Sequence, residues 1–302
     1  MQHDAIIIGG SFAGLSAAIY IARGRRSVCV IDGGRPRNRF AAASHGFFGQ
    51  DGQAPLEMIA AARAQLQLYP SVRMVDGEAA AAHALDGGGF DVTLADGTRL
   101  TARKLVLAFG ISDVLPEVPG LAERWGKSVL HCPYCHGYEF AGRRLGVLQT
   151  MPMSAHQAQL IAEWGPTTLF LNGGDRPDAE TLAVLTARGI AVEPAPVVIL
   201  DGKGDSLSCL RLADGRTIPT EALYVAVPTR LNSPIAEQLG CALDDGPLGP
   251  VIRTDASRLT SVPGVYAAGD IARVPHSATF AAADGVCAGT SLHQSLVFGA
   301  PA

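Results

Sequence analysis

Short apolar runs alternate with helix-like patterns along the first part of the chain. An apolar run at 5–8 is followed by a glycine-rich turn, and a helical pattern of small and apolar residues then extends from Leu15 to Ala22. A second apolar run, Val28–Ile31, comes shortly after that helix. Short, fully apolar runs next to a helical pattern indicate buried parallel strands. The chain is therefore predicted to begin with a strand–helix–strand unit.

Part of this pattern is repeated further along the chain. The segments Leu94–Gly97 and Leu105–Ala108 reappear with the same internal spacing as Leu212–Gly215 and Leu223–Ala226. In each copy an Asp-Gly turn of the kind found in hairpins leads into an apolar strand. The repeat predicts an α/β fold with two Rossmann-like (three-layer ββα) nucleotide-binding domains, one inserted in the other.

Two segments rich in proline and glycine, Leu115–Gly120 and Val227–Pro234, mark the predicted crossings between the domains. They predict a discontinuous outer domain of residues 1–113 and 230–302 and an inserted domain of residues 114–229. The chain length of 302 residues also suits two domains of roughly 150 residues each.

The turn after the first strand resembles a dinucleotide-binding fingerprint. Gly9, Ser11 and Gly14 occupy its three glycine positions, with serine in place of the middle glycine. Glycines there allow a sharp turn and let a pyrophosphate approach the helix N-terminus. Asp32 ends the second strand, at roughly the 20-residue spacing where an acid accepts ribose hydroxyls. A cofactor-free glycine turn is the alternative, but the full strand–helix–strand context favours a nucleotide site.

A second group of candidate cofactor contacts precedes the last predicted helix. Gly269 and Asp270 end a short apolar strand. An ordinary turn is the alternative, because Gly-Asp is a common pair. Since the fingerprint lies in the same domain, we expect this pair to bind FAD, with Asp270 holding a ribityl or phosphate hydroxyl. A helix that begins near Thr279, with Ala278 at its start, could direct its amides to the flavin pyrimidine ring.

The corresponding turn of the inserted domain lacks glycines. The strand Leu145–Leu148 leads into Gln149 and then Thr150–Pro152, before a helix predicted from about 154 to 164. The side chains of this turn would occupy the space that a pyrophosphate needs. The next strand ends at Asn172 without an acid or an arginine cluster for a 2′-phosphate. The sequence thus predicts a second nucleotide fold that has lost its NADPH site.

Composition and charge exclude several classes of protein. The net charge of −4 argues against a nucleic-acid partner, because phosphate binding needs clustered positive charge. One basic segment, from Arg23 to Arg39, is interpreted either as a solvated edge or as a neighbour of an anionic cofactor. No apolar run approaches the roughly 18 residues of a membrane helix, so no membrane partner is expected. The opening residues show no leader pattern, which favours a cytoplasmic location.

Cys132 and Cys135 are the only two of the six cysteines whose spacing suits joint chemistry. At a turn entering a helix they can close a disulfide, and the helix N-terminus and neighbouring histidines would lower the pKa of a thiolate. Half of a zinc site and incidental spacing are the alternatives. No second ligand pair with zinc-site spacing occurs in the sequence, so we predict a redox pair and no metal site.

Together these motifs resemble the low-molecular-weight thioredoxin reductases over essentially the whole chain, including the closing Val-Tyr-Ala-Ala-Gly-Asp run at 265–270. The run Cys-Pro-Tyr-Cys-His-Gly-Tyr-Glu at 132–139 is more similar to the FAD-dependent dithiol oxidases of that superfamily, which close disulfides in small molecules such as gliotoxin and holomycin. His136 stands where the reductases have aspartate, and His276-Ser277 stands where they have Arg-Gln. The reductases also have an intact second glycine fingerprint and a basic clamp for the NADPH phosphate.

The resemblance implies roles for individual residues. Cys135 would face the flavin C4a and Cys132 would exchange with the substrate sulfur. His136 would move the proton, because a histidine titrates near neutral pH. His45 is expected near the flavin, with a structural loop histidine as the equal alternative. His131 is interpreted as a surface residue.

The leading hypothesis is an FAD-dependent dithiol–disulfide oxidoreductase that passes electrons from a dithiol to FAD and then to O₂. One alternative is a thioredoxin (protein-disulfide) reductase that uses NADPH or another electron donor. Another is a non-catalytic flavin-binding redox sensor. The expected partner is a small dithiol or a protein disulfide, and the resemblance implies a homodimer.

Overall fold

The structure, a computed structural model, describes residues 2–299; position 1 and positions 300–302, the predicted ends of the outer domain, lie outside that range. The strands are β1 (Gln2–Ile8), β2 (Val28–Asp32), β3 (Val72–Asp76), β4 (Ala79–Ala84), β5 (Phe90–Leu94), β6 (Arg99–Leu107), β7 (Ile111–Asp113), β8 (Val129–Leu130), β9 (Leu145–Leu148), β10 (Thr167–Phe170), β11 (Ala191–Glu193), β12 (Val197–Asp201), β13 (Cys209–Leu212), β14 (Thr217–Pro219), β15 (Ala222–Val225), β16 (Thr229–Leu231), β17 (Leu243–Gly246), β18 (Gly249–Ile252) and β19 (Val265–Ala267). The helices are α1 (Phe12–Arg23), α2 (Pro55–Gln67), α3 (Pro133–His136), α4 (Ser154–Ile161), α5 (Ala179–Ala187), α6 (Ile235–Gln238) and α7 (Ala278–Phe298). Short 3-10 turns span Arg37–Phe40, Ala122–Arg124 and Tyr138–Phe140.

The larger sheet has the strand order β3-β2-β1-β6-β5-β4, and β19 also pairs with β6. The pairs at its centre are parallel, whereas β4, β5 and β6 form antiparallel pairs. Side chains of β1 alternate between two cores, with Ile6 and Ile8 in one and Ala5 and Ile7 in the other. Both faces of the strand are therefore buried, which explains its continuous apolar run.

Helices α1 and α7 pack closely on one face of this sheet. A Cβ atom on Gly285 would lie 2.1 Å from the carbonyl oxygen of Ala13, and one on Gly289 would lie 2.6 Å from that of Ala17. Only glycine allows the two backbones to approach this far. The packing fixes the first turn of α1 against α7, and both helices begin at the same cavity.

The second sheet has the order β11-β10-β9-β15-β8, and all its pairs are parallel. A small antiparallel sheet of β12, β13 and β14 accompanies it. The strands of both of these sheets lie between β6 and β19 along the chain. One Rossmann-like unit is therefore inserted in the other. The predicted α/β class with two such units is confirmed. Helix α4 ends at Ile161, earlier than the predicted end at 164.

The repeated segments fold alike. Leu94 donates its N–H to the carbonyl of Thr98 at 2.8 Å, and Leu212 donates to Arg216 at 2.9 Å, so both Asp-Gly turns close hairpins. In the first copy, β6 is one continuous strand. In the second copy, the same stretch is divided between β14 and β15, which belong to different sheets. The shared pattern therefore reflects a shared local fold with one interruption.

The chain crosses between the two units at a short antiparallel ladder of β7 and β16, in which Asp113 pairs with Thr229. The predicted domain boundaries after residues 113 and 229 lie at this ladder and stay predictions. Within residues 2–299, no helix combines the length and apolar character needed to cross a membrane.

Candidate functional site

A cavity of about 880 Å³ opens at the carboxyl ends of β1 and β2. Its volume is within the range of about 300–1,000 Å³ that is typical of small-molecule and cofactor sites. All the predicted site residues except Gly14 line it, namely Gly9, Ser11, Asp32, His45, Cys132, Cys135, His136, Gly269, Asp270 and Ala278. The structure thus brings together segments that are far apart in the sequence.

The glycine turn between β1 and α1 forms one wall. Gly9 has a φ of 116°, and a Cβ atom there would lie 2.2 Å from the carbonyl oxygen of Ala108. Gly14 lies behind the wall, where a Cβ atom would be 1.8 Å from the carbonyl oxygen of Gly9. Gly14 therefore allows α1 to pack under the turn. Gly10 is restricted as well, since a Cβ atom there would lie 2.6 Å from that of Asp32.

Asp32 lies beside the glycine turn at the end of β2. One of its carboxylate oxygens accepts a hydrogen bond from the N–H of Gly34 at 3.0 Å. The other accepts one from Arg63 of α2 at 3.2 Å. The sequence did not predict Arg63, because no local motif links α2 to the end of β2. The two donors orient the carboxylate at the cavity wall.

Arg37 is the centre of a charged network in the same wall. Its guanidinium contacts the carboxylates of Asp113 at 2.5 Å and Asp270 at 3.0 Å. It also lies 2.9 Å from Nδ1 of His276. Burial alone would raise the pKa of Asp113, but the hydrogen bonds and charge of Arg37 outweigh burial and hold that pKa below its usual range. Arg37 thus links the wall of the cavity at Asp270 to the crossing ladder at Asp113.

Replacing Arg37 with glutamine is expected to lower the free energy of unfolding by about 3 kcal/mol at pH 7, because it leaves partly buried carboxylates without their cation. A carboxylate with a lowered pKa in the folded state stabilises the fold above about pH 4 and loses that effect as the pH falls through the lowered pKa. The difference from the wild type should therefore shrink below pH 4. Urea unfolding of both proteins at several pH values measures this difference in the free energy of unfolding.

The matched control is Arg39→Gln, because Arg39 is exposed and forms no ion pair within residues 2–299; its guanidinium donates to the carbonyl of Pro36 and lies over the ring of Phe40. This variant is expected to unfold like the wild type. Equal destabilisation by the two substitutions would contradict the special role of Arg37.

Cys132 and Cys135 form a disulfide, with their Cα atoms 5.4 Å apart, in the wall of the cavity. The sulfurs are bonded to each other, so in this state they are not available as zinc ligands. Helix α3 is a single turn of four residues that begins at Pro133, and Cys132 caps it. A helix of one turn supplies only a small dipole to a thiolate at its N-terminus.

Three histidines line the same cavity as the disulfide, namely His45, His131 and His136. Burial lowers the pKa of His136, the neighbouring charge of Glu139 opposes that shift, and His45 adds to it. The rings of His45 and His136 lie edge to face, 6.0 Å apart. His131 is exposed, as its interpretation as a surface residue requires, and it also lines the cavity and stacks on Trp125. Sequence reasoning missed this because Trp125 and His131 have no periodic relation.

The turn after β9 satisfies its own polar groups. The Gln149 side chain donates to the carbonyl of Asp175 at 2.9 Å. The Thr150 hydroxyl donates to the carbonyl of Ala226. The backbone N–H groups of Thr150 and Met151 both point to the hydroxyl of Ser154, at 3.3 Å. The Ser154 hydroxyl thus engages backbone N–H groups that would face a pyrophosphate in a glycine-rich turn.

Comparison with known proteins agrees with this geometry. The chain is 37% identical over 280 residues to thioredoxin reductase tcpT of Claviceps purpurea, covering 88% of this chain and 86% of that one. It is 30% identical to thioredoxin reductase sirT of Leptosphaeria maculans, covering 96% and 93% of the two chains. The crystal structure of an oxidoreductase from Agrobacterium tumefaciens superposes with a TM-score of 0.94, at 45% identity and 99% coverage of both chains.

The resemblance to thioredoxin reductases is thereby confirmed. Residues 3–285 also match the family described as pyridine nucleotide-disulphide oxidoreductase, a class of enzymes. The glycine turn, the paired cysteines and the inserted second fold all lie within this range. The chain therefore belongs to the pyridine nucleotide-disulphide oxidoreductase family.

Proposed function

We propose that the protein is an FAD-dependent dithiol–disulfide oxidoreductase that oxidises dithiols to disulfides. The observation that carries this proposal is that the Cys132–Cys135 disulfide and the glycine turn line the same cavity. A redox-active cysteine pair that lies beside the cofactor site can pass electrons to the cofactor without a separate electron carrier. The proposed substrate is a small dithiol, with a protein disulfide as the other candidate, and a homodimer stays a prediction from the family resemblance.

The residues of the cavity fit FAD. The side chain of Ser11 makes no capping hydrogen bond, so the first N–H groups of α1 remain available to a pyrophosphate. Asp32 would hold the adenosine ribose. Gly269, Asp270 and the N-terminus of α7 at Ala278 would hold the flavin end. When bound, FAD accepts the two electrons of a dithiol and returns them to an acceptor, for which we propose O₂.

Sulfur exchange at the cysteines accounts for the rest of the reaction. A substrate thiolate attacks the sulfur of Cys132, which breaks the Cys132–Cys135 bond and leaves a mixed disulfide and a Cys135 thiolate. The second substrate thiolate then attacks the substrate sulfur of the mixed disulfide and releases Cys132 as a thiolate. The substrate departs as a disulfide, and the cysteine pair has gained two electrons.

His136 is the proposed base that takes the proton from the substrate thiol. It follows Cys135 directly and lines the same cavity. Because burial lowers its pKa, its ring is neutral and able to accept a proton at neutral pH. The charge of Glu139 raises the pKa of His136, but burial outweighs this effect.

The second nucleotide fold does not fit NADPH. The hydroxyl of Ser154 accepts from the N–H groups of the turn that a pyrophosphate would use, and the side chain of Gln149 extends to the carbonyl of Asp175. The loop after β10 contains Asn172, whose side chain accepts from the N–H of Val197. No acidic side chain stands at that position for a ribose. We therefore route no step through a nicotinamide.

A reductase that works in the opposite direction is the second candidate. The names of the fungal relatives, both thioredoxin reductases, favour it. It requires an electron donor that reduces the flavin and a disulfide substrate that oxidises the cysteine pair. It differs from the dithiol oxidase only in the direction of electron flow.

Anaerobic reduction of the purified flavoprotein distinguishes the two candidates. Addition of dithiothreitol is expected to bleach the flavin absorbance rapidly, because the cysteine pair conducts its electrons to FAD. Addition of NADPH is expected to leave the absorbance unchanged over the same time. Admission of air should restore the dithiol-bleached spectrum, with formation of oxidised dithiothreitol.

Rapid bleaching by micromolar NADPH would overturn the dithiol-oxidase proposal and favour the reductase. Failure of both reagents to reduce the flavin would favour a non-catalytic flavin protein instead.

A further inference from the structure

We propose that His45, His136 and Glu139 form a binding site for Zn²⁺ at the entrance to the redox disulfide. The site itself is independent of the proposed function. Its consequence, inhibition of dithiol oxidation, rests on that function. Sequence reasoning predicted no metal site because it searched for ligands of regular spacing. His45 is far from the other two ligands in the sequence.

The distances between the three side chains suit a tetrahedral metal. Nε2 of His45 lies 3.3 Å from Oε1 of Glu139. One ligand atom from each of the three residues falls within 4.8 Å of the others. Tetrahedral Zn²⁺ with bonds of about 2.0–2.1 Å separates its ligands by roughly 3.3 Å. One edge of the tetrahedron is thus already formed, and the ligand atom of His136 lies within 4.8 Å of the other two.

A carboxylate behind His45 is a second observation that favours a metal. Nδ1 of His45 faces Asp51 at 3.6 Å, and the N–H of Gly46 donates to the same Asp51 oxygen at 2.8 Å. Histidines that bind metals usually direct their other ring nitrogen to a carboxylate, which sets the ring orientation. The contact of Asp51 with Nδ1 therefore leaves Nε2 of His45 free to bind a metal, and Nε2 faces Glu139.

The ligand set favours zinc over magnesium or calcium. Two imidazoles and one carboxylate are ligands typical of Zn²⁺, whereas the alkaline-earth ions prefer oxygen alone. Glu139 is exposed, so a water molecule can complete the fourth position. A site with three protein ligands and one open position is typical of reversible zinc binding, whereas a structural zinc site has four protein ligands.

Bound zinc would act on both parts of the enzyme. His45 belongs to the loop between β2 and α2 of the outer unit, whereas His136 and Glu139 follow the disulfide in the inserted unit. The ion would join the two units across the mouth of the cavity. It would also occupy the lone pair of His136 that the proposed reaction uses. Zinc is therefore expected to inhibit dithiol oxidation reversibly.

Calorimetric titration of the oxidised, chelator-treated holoenzyme with ZnCl₂ tests the site, because the closed disulfide removes the thiolates as competing ligands. We expect one Zn²⁺ per chain with micromolar or tighter affinity. Glu139→Gln and His45→Gln should each weaken binding by more than roughly tenfold. His156→Gln, at an exposed position on α4, is the matched control and should bind like the wild type. Zinc-edge X-ray absorption should show nitrogen and oxygen ligands without sulfur.

Absence of binding, binding that survives both substitutions, or sulfur ligation in the oxidised enzyme would overturn the metal site. A second experiment tests the inhibition. For the wild type and for Glu139→Gln, we measure the zinc concentration that lowers the rate of dithiol oxidation to half of that protein's rate without zinc. Both receive the same dithiol, so chelation by the substrate cancels, and a rise of more than roughly tenfold in the variant is expected. An equal inhibitory concentration in both would overturn the regulatory role.

Failure of the proposed function would look different. Zinc would bind with the expected mutational pattern while the enzyme failed to oxidise dithiols. That result would support the site and overturn the inhibition of this reaction.

Discussion

Replacing Cys132 with serine is expected to abolish dithiol turnover while leaving FAD bound. The substitution removes the sulfur that receives the substrate thiolate, and a serine oxygen cannot form the mixed disulfide. Loss of the sulfur through which the covalent intermediate forms lowers the rate by on the order of 10³-fold or more. Oxygen consumption with a dithiol measures the loss. The flavin absorbance per chain shows that the cofactor remains, because neither cysteine is needed to build the glycine turn.

Cys135→Ser should be inactive as well, since the pair works as a unit. The matched control is Cys209→Ser, because Cys209 is a free cysteine on β13 outside the cavity. It should retain the wild-type rate. Wild-type turnover in Cys132→Ser would instead show that dithiols do not react through this pair, as a non-catalytic disulfide would require.

Gly14→Ala is expected to yield protein that has lost FAD and unfolds at a lower temperature. The added Cβ atom would lie 1.8 Å from the carbonyl oxygen of Gly9 and 2.9 Å from its carbonyl carbon. These are backbone atoms that cannot rotate away, so α1 must move from the turn. Overpacking of this kind costs about 1–3 kcal/mol or more and displaces the amides that would face the pyrophosphate. The ratio of flavin to protein absorbance and thermal unfolding measure both effects.

Gly87→Ala provides the matched control, because a Cβ atom at Gly87 meets no other atom within 4 Å and its φ is not left-handed. This variant should retain flavin and unfold like the wild type. Retention of a full complement of FAD by Gly14→Ala would contradict the cradle that we assign to the α1 turn.

The sequence predicts the fold where local patterns carry the information. Both faces of β1 and β2 are buried, so their apolar runs were unambiguous, and the Asp-Gly turns at 96–97 and 214–215 identified two hairpins. The same holds for Cys132 and Cys135, whose chemistry depends on near neighbours. Gly14 was predicted as a cavity residue, yet it lies behind the wall, because a motif gives spacing and not the direction of each residue.

Contacts between distant segments could not be predicted in this way. Arg63 reaches Asp32 from a helix that carries no nucleotide motif. Arg37 is only one member of a basic segment in the sequence, and its bonds to Asp113 and Asp270 depend on how three distant segments meet. The approach of His45 to Glu139 likewise requires both units to be in place. Such pairs are products of tertiary packing, which a single sequence does not display.

The ladder of β7 and β16 also bears on the origin of the protein. The chain leaves the outer unit and returns to it through adjacent, hydrogen-bonded strands. Insertion at one surface point leaves the host fold intact when the ends of the inserted segment are neighbours. A duplicated gene segment could therefore enter at a single locus without rearranging the ancestral sheet.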